Sequence, residues 1–116
     1  MCRTIISTGS ELNRFFTALV TGKLLPAPQL VQMEPTVPMS PSTAMHYGLG
    51  LIRFQIPCGT AGKDVKELWG HSGGIPGFTT LAIATPQGNA AAISINTSDT
   101  NDRFSGTVTA VACAIA

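Results

Sequence analysis

The sequence predicts an α+β domain in which an antiparallel sheet is flanked by helices. Three observations predict it. Apolar residues near the N-terminus recur at helical spacing behind a capping pattern. The middle of the chain holds short apolar runs separated by Gly and Pro turns, the signature of strands. The last stretch, residues 101–116, has no helix breaker after Gly106, and its Ala, Val and Ile positions suit a buried helix.

Taken in order, Thr8-Gly9-Ser10-Glu11 fits a capping box, with Thr8 as cap and Glu11 reaching back to a free backbone N–H. Leu12, Phe15, Phe16, Leu19 and Val20 follow on one face as core, and Gly22 is a natural stop, so a helix is expected over residues 9–21. Residues 26–33 suit a short second helix, since Pro28 is tolerated in a first turn. Pro35, Pro38 and Pro41 make residues 34–42 an irregular connector. Residues 47–56 read as one strand, and residues 57–66 as a polar excursion in which Lys63, Asp64, Lys66 and, just beyond, Glu67 are a solvated charged loop. Residues 67–73 form the next strand, with a turn at Gly74-Ile75-Pro76-Gly77. The clearest hairpin is 78–85, a Pro86-Gln87-Gly88-Asn89 turn, and 90–97. Two helices on the same sheet face would complete the arrangement.

A chain of 116 residues is one domain or part of one. Charged residues are 11%, less than half the roughly 25% of ordinary domains, while hydrophobic residues are 44%. That balance excludes disorder. Seven basic against six acidic residues leave a net charge of +1, no footprint for nucleic acid. No apolar run approaches the ~18–20 residues of a membrane span, and the apolar stretch before Gly9 is too short for a signal peptide. Of three cysteines, Cys2, Cys58 and Cys113, at least one stays unpaired, Cys2 being incidental, and none has metal-site spacing. The apolar excess implies a surface that another piece of protein covers, either more of the same polypeptide or a second copy.

One segment concentrates the chemistry: Trp69-Gly70-His71-Ser72-Gly73-Gly74-Ile75-Pro76-Gly77-Phe78. Adjacent strand residues point to opposite faces, so His71 is badly placed to deprotonate Ser72. Phosphate-loop spacing is not met, and His46, a surface or turn residue ahead of the strand, does not make a metal set with His71. Trp69 is a core or cleft-edge aromatic. Read from its residues alone, the segment is a Gly-rich strand end with a satisfied histidine.

Four fragments nevertheless occur in an order that resembles the C-terminal part of the penicillin-recognising serine hydrolases, the family of class C β-lactamases and D-alanyl-D-alanine carboxypeptidases. Ile6-Ser7-Thr8 with Glu11-Leu12-Asn13-Arg14-Phe15-Phe16 resembles the family's "ST..DL.RF" helix start, and Gly22-Lys23-Leu24-Leu25-Pro26 its "G.LL". Tyr47-Gly48-Leu49-Gly50 resembles its "YGLG" strand. His71-Ser72-Gly73-Gly74 with Pro76-Gly77-Phe78 resembles the third active-site motif and its "G..PGF" continuation.

The resemblance implies the C-terminal portion of a β-lactamase/transpeptidase-like fold and acyl-enzyme chemistry on a peptide, β-lactam or ester. It needs no cofactor and no metal. It implies that the third-motif strand lies at a sheet edge where a substrate pairs like an added strand. It gives His71 the place of the first motif residue beside the nucleophile, and Gly74 that of an oxyanion-hole N–H donor. Ser72 and Gly73 become substrate-binding, with the Ser72 hydroxyl donating to a substrate carboxylate. Secreted relatives make a Cys58–Cys113 disulfide reasonable, two buried thiols being the alternative, and suggest an extracellular or periplasmic location. The departure is large. No serine is followed three residues later by lysine, and Thr60-Ala61-Gly62-Lys63 is the sole near-match. Tyr-x-Asn is also absent. The expectation is one wall of a cleft without its nucleophile, inactive alone. A non-catalytic binding or self-assembly module and a truncated product are the rival readings.

Overall fold

The computed structural model describes residues 5–39 and 44–116; Cys2 and the end of the 34–42 connector lie outside them. Thr8 Oγ1 accepts from the Glu11 N–H at 3.2 Å, so helix α1, Gly9–Val20, starts where the capping pattern places it. The reciprocal half of the box is replaced, because the Glu11 carboxylate pairs with Arg14 Nη1 at 3.1 Å. Helix α2 spans Ala27–Met33 and helix α3 Asp102–Ile115, the latter capped by Asn101 Oδ1, which accepts from the N–H groups of Arg103 and Phe104.

Between them lie β1 (Val37–Pro38), β2 (Met45–Tyr47), β3 (Ile52–Cys58), β4 (Asp64–Ile75), β5 (Phe78–Ala84) and β6 (Ala90–Ile95). They form one antiparallel sheet in chain order. The expected strand over 47–56 is therefore two. Tyr47 ends β2, the Gly48 N–H closes a tight turn on the Leu51 carbonyl at 2.7 Å, and β3 returns antiparallel. Met45 and His46 belong to β2, so His46 is a half-buried strand residue rather than a turn residue. The proline-rich connector contributes a two-residue edge strand, Val37 and Pro38 pairing with Tyr47 and His46; an edge is where a sheet tolerates proline. Asp64, Lys66 and Glu67 are not loop residues. They open β4, with Lys66 Nζ on Asp64 at 3.0 Å and Glu67 accepting from Trp69 Nε1 at 3.2 Å.

The helices do not share a face. Strand alternation sends Ala82 and Ala84 of β5 with Trp69 and Leu51 toward Phe16 and Leu19 of α1. It sends Leu81 and Ile83 with Leu68, Phe54 and Ile52 toward Ala112 of α3. The sheet is thus sandwiched, α1 on one side and α3 on the other. Phe15, expected in the core, is half exposed beside its buried neighbour Phe16, whose ring it meets edge-on at 5.2 Å. Cys58, at the end of β3, is bonded to Cys113 of α3, pinning that helix to the sheet.

Gly70 marks the centre of β4, facing Ile52 of β3 on one side and Ile83 of β5 on the other. A Cβ there would collide with the Ala82 carbonyl oxygen and stand 2.9 Å from Ile83 Cα. Backbone cannot yield as a flexible side chain does. Gly70→Ala is expected to cost roughly 3 kcal/mol or more, a loss that a urea unfolding curve measures directly.

Candidate functional site

Strand β4 changes partner along its length. Residues 64–70 pair with β3 and residues 69–75 with β5, so beyond Gly70 the side of β4 that faced β3 carries no strand among the described residues. The register fixes what this open edge presents. The Gln55 N–H donates to the Ala44 carbonyl at 2.8 Å, so odd-numbered residues of β3 turn their backbone groups toward β2 and even-numbered ones toward β4. Ile52 and its partner Gly70 therefore face each other, and two-residue alternation turns the N–H and C=O of Ser72 and Gly74 outward into the open edge.

The hairpin beyond is held firmly. Pro76 and Gly77 make the two-residue turn, with Gly77 at φ +85°, the left-handed conformation that glycine adopts without strain. Ser98, from the loop ahead of α3, clamps the turn to the end of β4. The Gly77 N–H donates to Ser98 Oγ at 2.7 Å, and the Ser98 hydroxyl donates to the Ile75 carbonyl at 3.4 Å. Ser98→Ala is expected to cost about 1 kcal/mol and to raise amide hydrogen exchange at Gly77 above that of mid-strand β5.

Each side chain of the segment takes a distinct place. His71 is half-buried, its Nδ1 2.6 Å from the Ser72 carbonyl oxygen and its Nε2 3.3 Å from Tyr47 Oη. The Ser72 side chain falls on the opposite face, above a groove of about 600 Å³ bounded by Thr79, Leu81, Phe104 and Val108. No hydrogen bond joins the His71 ring to the Ser72 hydroxyl, as strand alternation requires. Gly73 and Gly74 have open space where a Cβ would stand, the closest approach being 3.8 Å to the Phe78 carbonyl oxygen, so internal packing does not demand glycine at either position. Of the two, Gly74 turns its backbone groups to the open edge.

Trp69 is buried behind the segment in the α1-side core. Thr60-Ala61-Gly62-Lys63 forms a single 3-10 turn with Ala61 at φ 64°, which is not a helix that would present a serine-like nucleophile to lysine. Among the described residues, no group of three His, Cys, Asp or Glu is placed to hold a metal ion. Tyr47 is the residue that motif reading undervalued. It served there only as a strand marker, and its partnership with His71 depends on the β2–β3–β4 register.

Comparison with known proteins gives this edge a setting. A D-stereospecific amidohydrolase from a Streptomyces species superimposes with a TM-score of 0.66 at 39% identity, over 76% of this chain and 25% of that one. The D-amino acid amidase of Ochrobactrum anthropi SV3, solved with D-phenylalanine, gives a TM-score of 0.68 at 25% identity, over 90% of this chain and 35% of that one. The chain thus spans about a quarter to a third of the solved proteins it resembles. The Beta-lactamase family model matches residues 3–115, nearly the whole sequence, and with the motif order and the sheet architecture in agreement, the chain belongs to the Beta-lactamase family.

Proposed function

We propose that this chain is the C-terminal wall of an acyl-transfer site. The reaction is hydrolysis of an amide bond at a D-configured residue, by analogy with the two amidohydrolases it resembles, and the serine and lysine come from polypeptide outside these 116 residues. One observation carries the reading. The N–H of Gly74 points into an open strand edge lined by bare glycine backbone.

In this role the Gly74 N–H is one of two donors to the oxyanion that forms when the serine attacks the carbonyl. The outward Ser72 N–H and Gly74 carbonyl pair with the substrate backbone as with an added strand, beside Gly73. The Ser72 hydroxyl donates to a carboxylate where the substrate carries one, and His71 lines the cleft beside the nucleophile. Acylation releases the amine; water then attacks the acyl-enzyme and regenerates the serine. The Cys58–Cys113 bond supports an oxidising location, outside the cytoplasm.

A chimera tests the proposal, with this chain replacing the matching C-terminal segment of the Ochrobactrum amidase. A folded chimera that hydrolyses D-phenylalanine amide is expected; a folded chimera with no turnover contradicts the reading.

A second reading, a self-assembling module, is favoured by β6. Among the described residues no strand pairs with its outer side, and its sequence AAAISI carries neither lysine nor proline to discourage pairing. Sedimentation of the 116-residue chain decides it: association that rises with concentration supports the module, and a monomer at all concentrations rejects it.

A further inference from the structure

We propose that Tyr47 is a positioning residue for His71, donating to its Nε2 and holding the imidazole in one orientation at the open edge of β4. The inference rests on the reading of that edge as an acyl-transfer wall, but its test does not.

The chemistry of the partners sets the direction of each hydrogen bond. A backbone carbonyl only accepts, so the 2.6 Å contact to the Ser72 oxygen places the ring proton on Nδ1. In the neutral ring Nε2 is then a lone pair, and the group 3.3 Å away, the Tyr47 hydroxyl, donates to it. The two rings also meet edge-to-face, with centroids 5.7 Å apart and planes at 84°, which restricts rotation of the imidazole. The hydroxyl, the imidazole and the Ser72 carbonyl are thereby joined in a single line of hydrogen bonds.

Geometry explains why tyrosine occupies this place. Residue 47 closes β2, opposite Ile52, and Ile52 is the last β3 residue to pair with β4, opposite Gly70. His71 is the next residue along, the first whose neighbour on that side is missing. A long side chain with a polar end spans the step from the end of the β2–β3 hairpin to the ring, and phenylalanine would span it without the donor. With both nitrogens engaged, the ring is held as a fixed wall of the edge.

The tautomer of His71 is read by long-range proton–nitrogen correlation NMR on the 15N-labelled 116-residue chain, at a pH high enough to keep the ring neutral. The His46 ring in the same molecule is the internal control. The expected wild-type result is a single species with a protonated Nδ1 and an unprotonated, hydrogen-bonded Nε2. Tyr47→Phe retains the aromatic contact and is expected to move the Nε2 resonance to that of a lone pair without a donor, while Nδ1 stays protonated on the Ser72 carbonyl and His46 is unmoved. A wild-type ring protonated on Nε2, or an identical ring spectrum in Tyr47→Phe, overturns the proposal. Should the variant fail to fold, the Tyr47 hydroxyl proton of the wild-type chain is the second readout: a proton slow to exchange and correlated with His71 Nε2 is expected, and a freely exchanging one overturns the proposal. Neither outcome depends on turnover, so failure here leaves the acyl-transfer reading to the chimera.

Discussion

Gly74→Pro in a chimera with the amidase is expected to lower the rate of amide hydrolysis by roughly 10²–10³. Proline removes an N–H that faces the open edge rather than the β5 ladder, and it also sets φ near −65° and holds Gly73 in the extended region, a change that an edge strand tolerates. The space around Gly74 is open and its φ is not in the left-handed region, so the variant is expected to fold, and its melting curve is recorded beside the rate. Gly74→Ala, which keeps the N–H, is the control expected to retain most of the rate. Single-turnover measurement of acylation separates this loss from weaker substrate binding. An unchanged acylation rate in Gly74→Pro would take the oxyanion role away from this residue.

The second large effect concerns stability. The Cys58–Cys113 bridge joins positions 55 residues apart. Closing a loop of that length restricts the unfolded chain enough to contribute about 4 kcal/mol in the chain-entropy account. For a domain of this size, that corresponds to a fall of about 15 °C in melting temperature on reduction. The bridge connects the last residue of β3 to the C-terminal half of α3, beside the core contacts of Ala112 and Ile115. Melting curves with and without reductant, and of the Cys58→Ala/Cys113→Ala double variant, check the size of the effect. Equal melting temperatures in both conditions would mean that the bridge does not form in solution.

Local signals with steric causes were legible in the sequence. Thr8 and Gly22 bracket α1 because a hydroxyl cap and a glycine stop act within one turn, and the 78–97 hairpin is announced by turn residues between β-prone runs. The break at Gly48–Gly50 was not legible, since two glycines among apolar residues suit a loosely packed strand as well as a turn. Sandwiching was hidden in Leu81-Ala82-Ile83-Ala84, where both faces are apolar and alternation leaves no polar mark. Phe15 and Phe16 are equally apolar, and only the position of the sheet decides which one is buried. At the candidate site, the motif located His71, Ser72, Gly73 and Gly74 because the chemistry depends on contiguous backbone. Tyr47 escaped because its role arises from the registers of three strands, which no spacing along the chain encodes.

The central claim, a Beta-lactamase-family wall without a nucleophile of its own, is tested most directly by the intact mass of the purified 116-residue chain after incubation with a penicillin. No adduct is the predicted result. A stoichiometric acyl adduct would contradict it and would direct attention first to the Ser72 hydroxyl at the edge of β4.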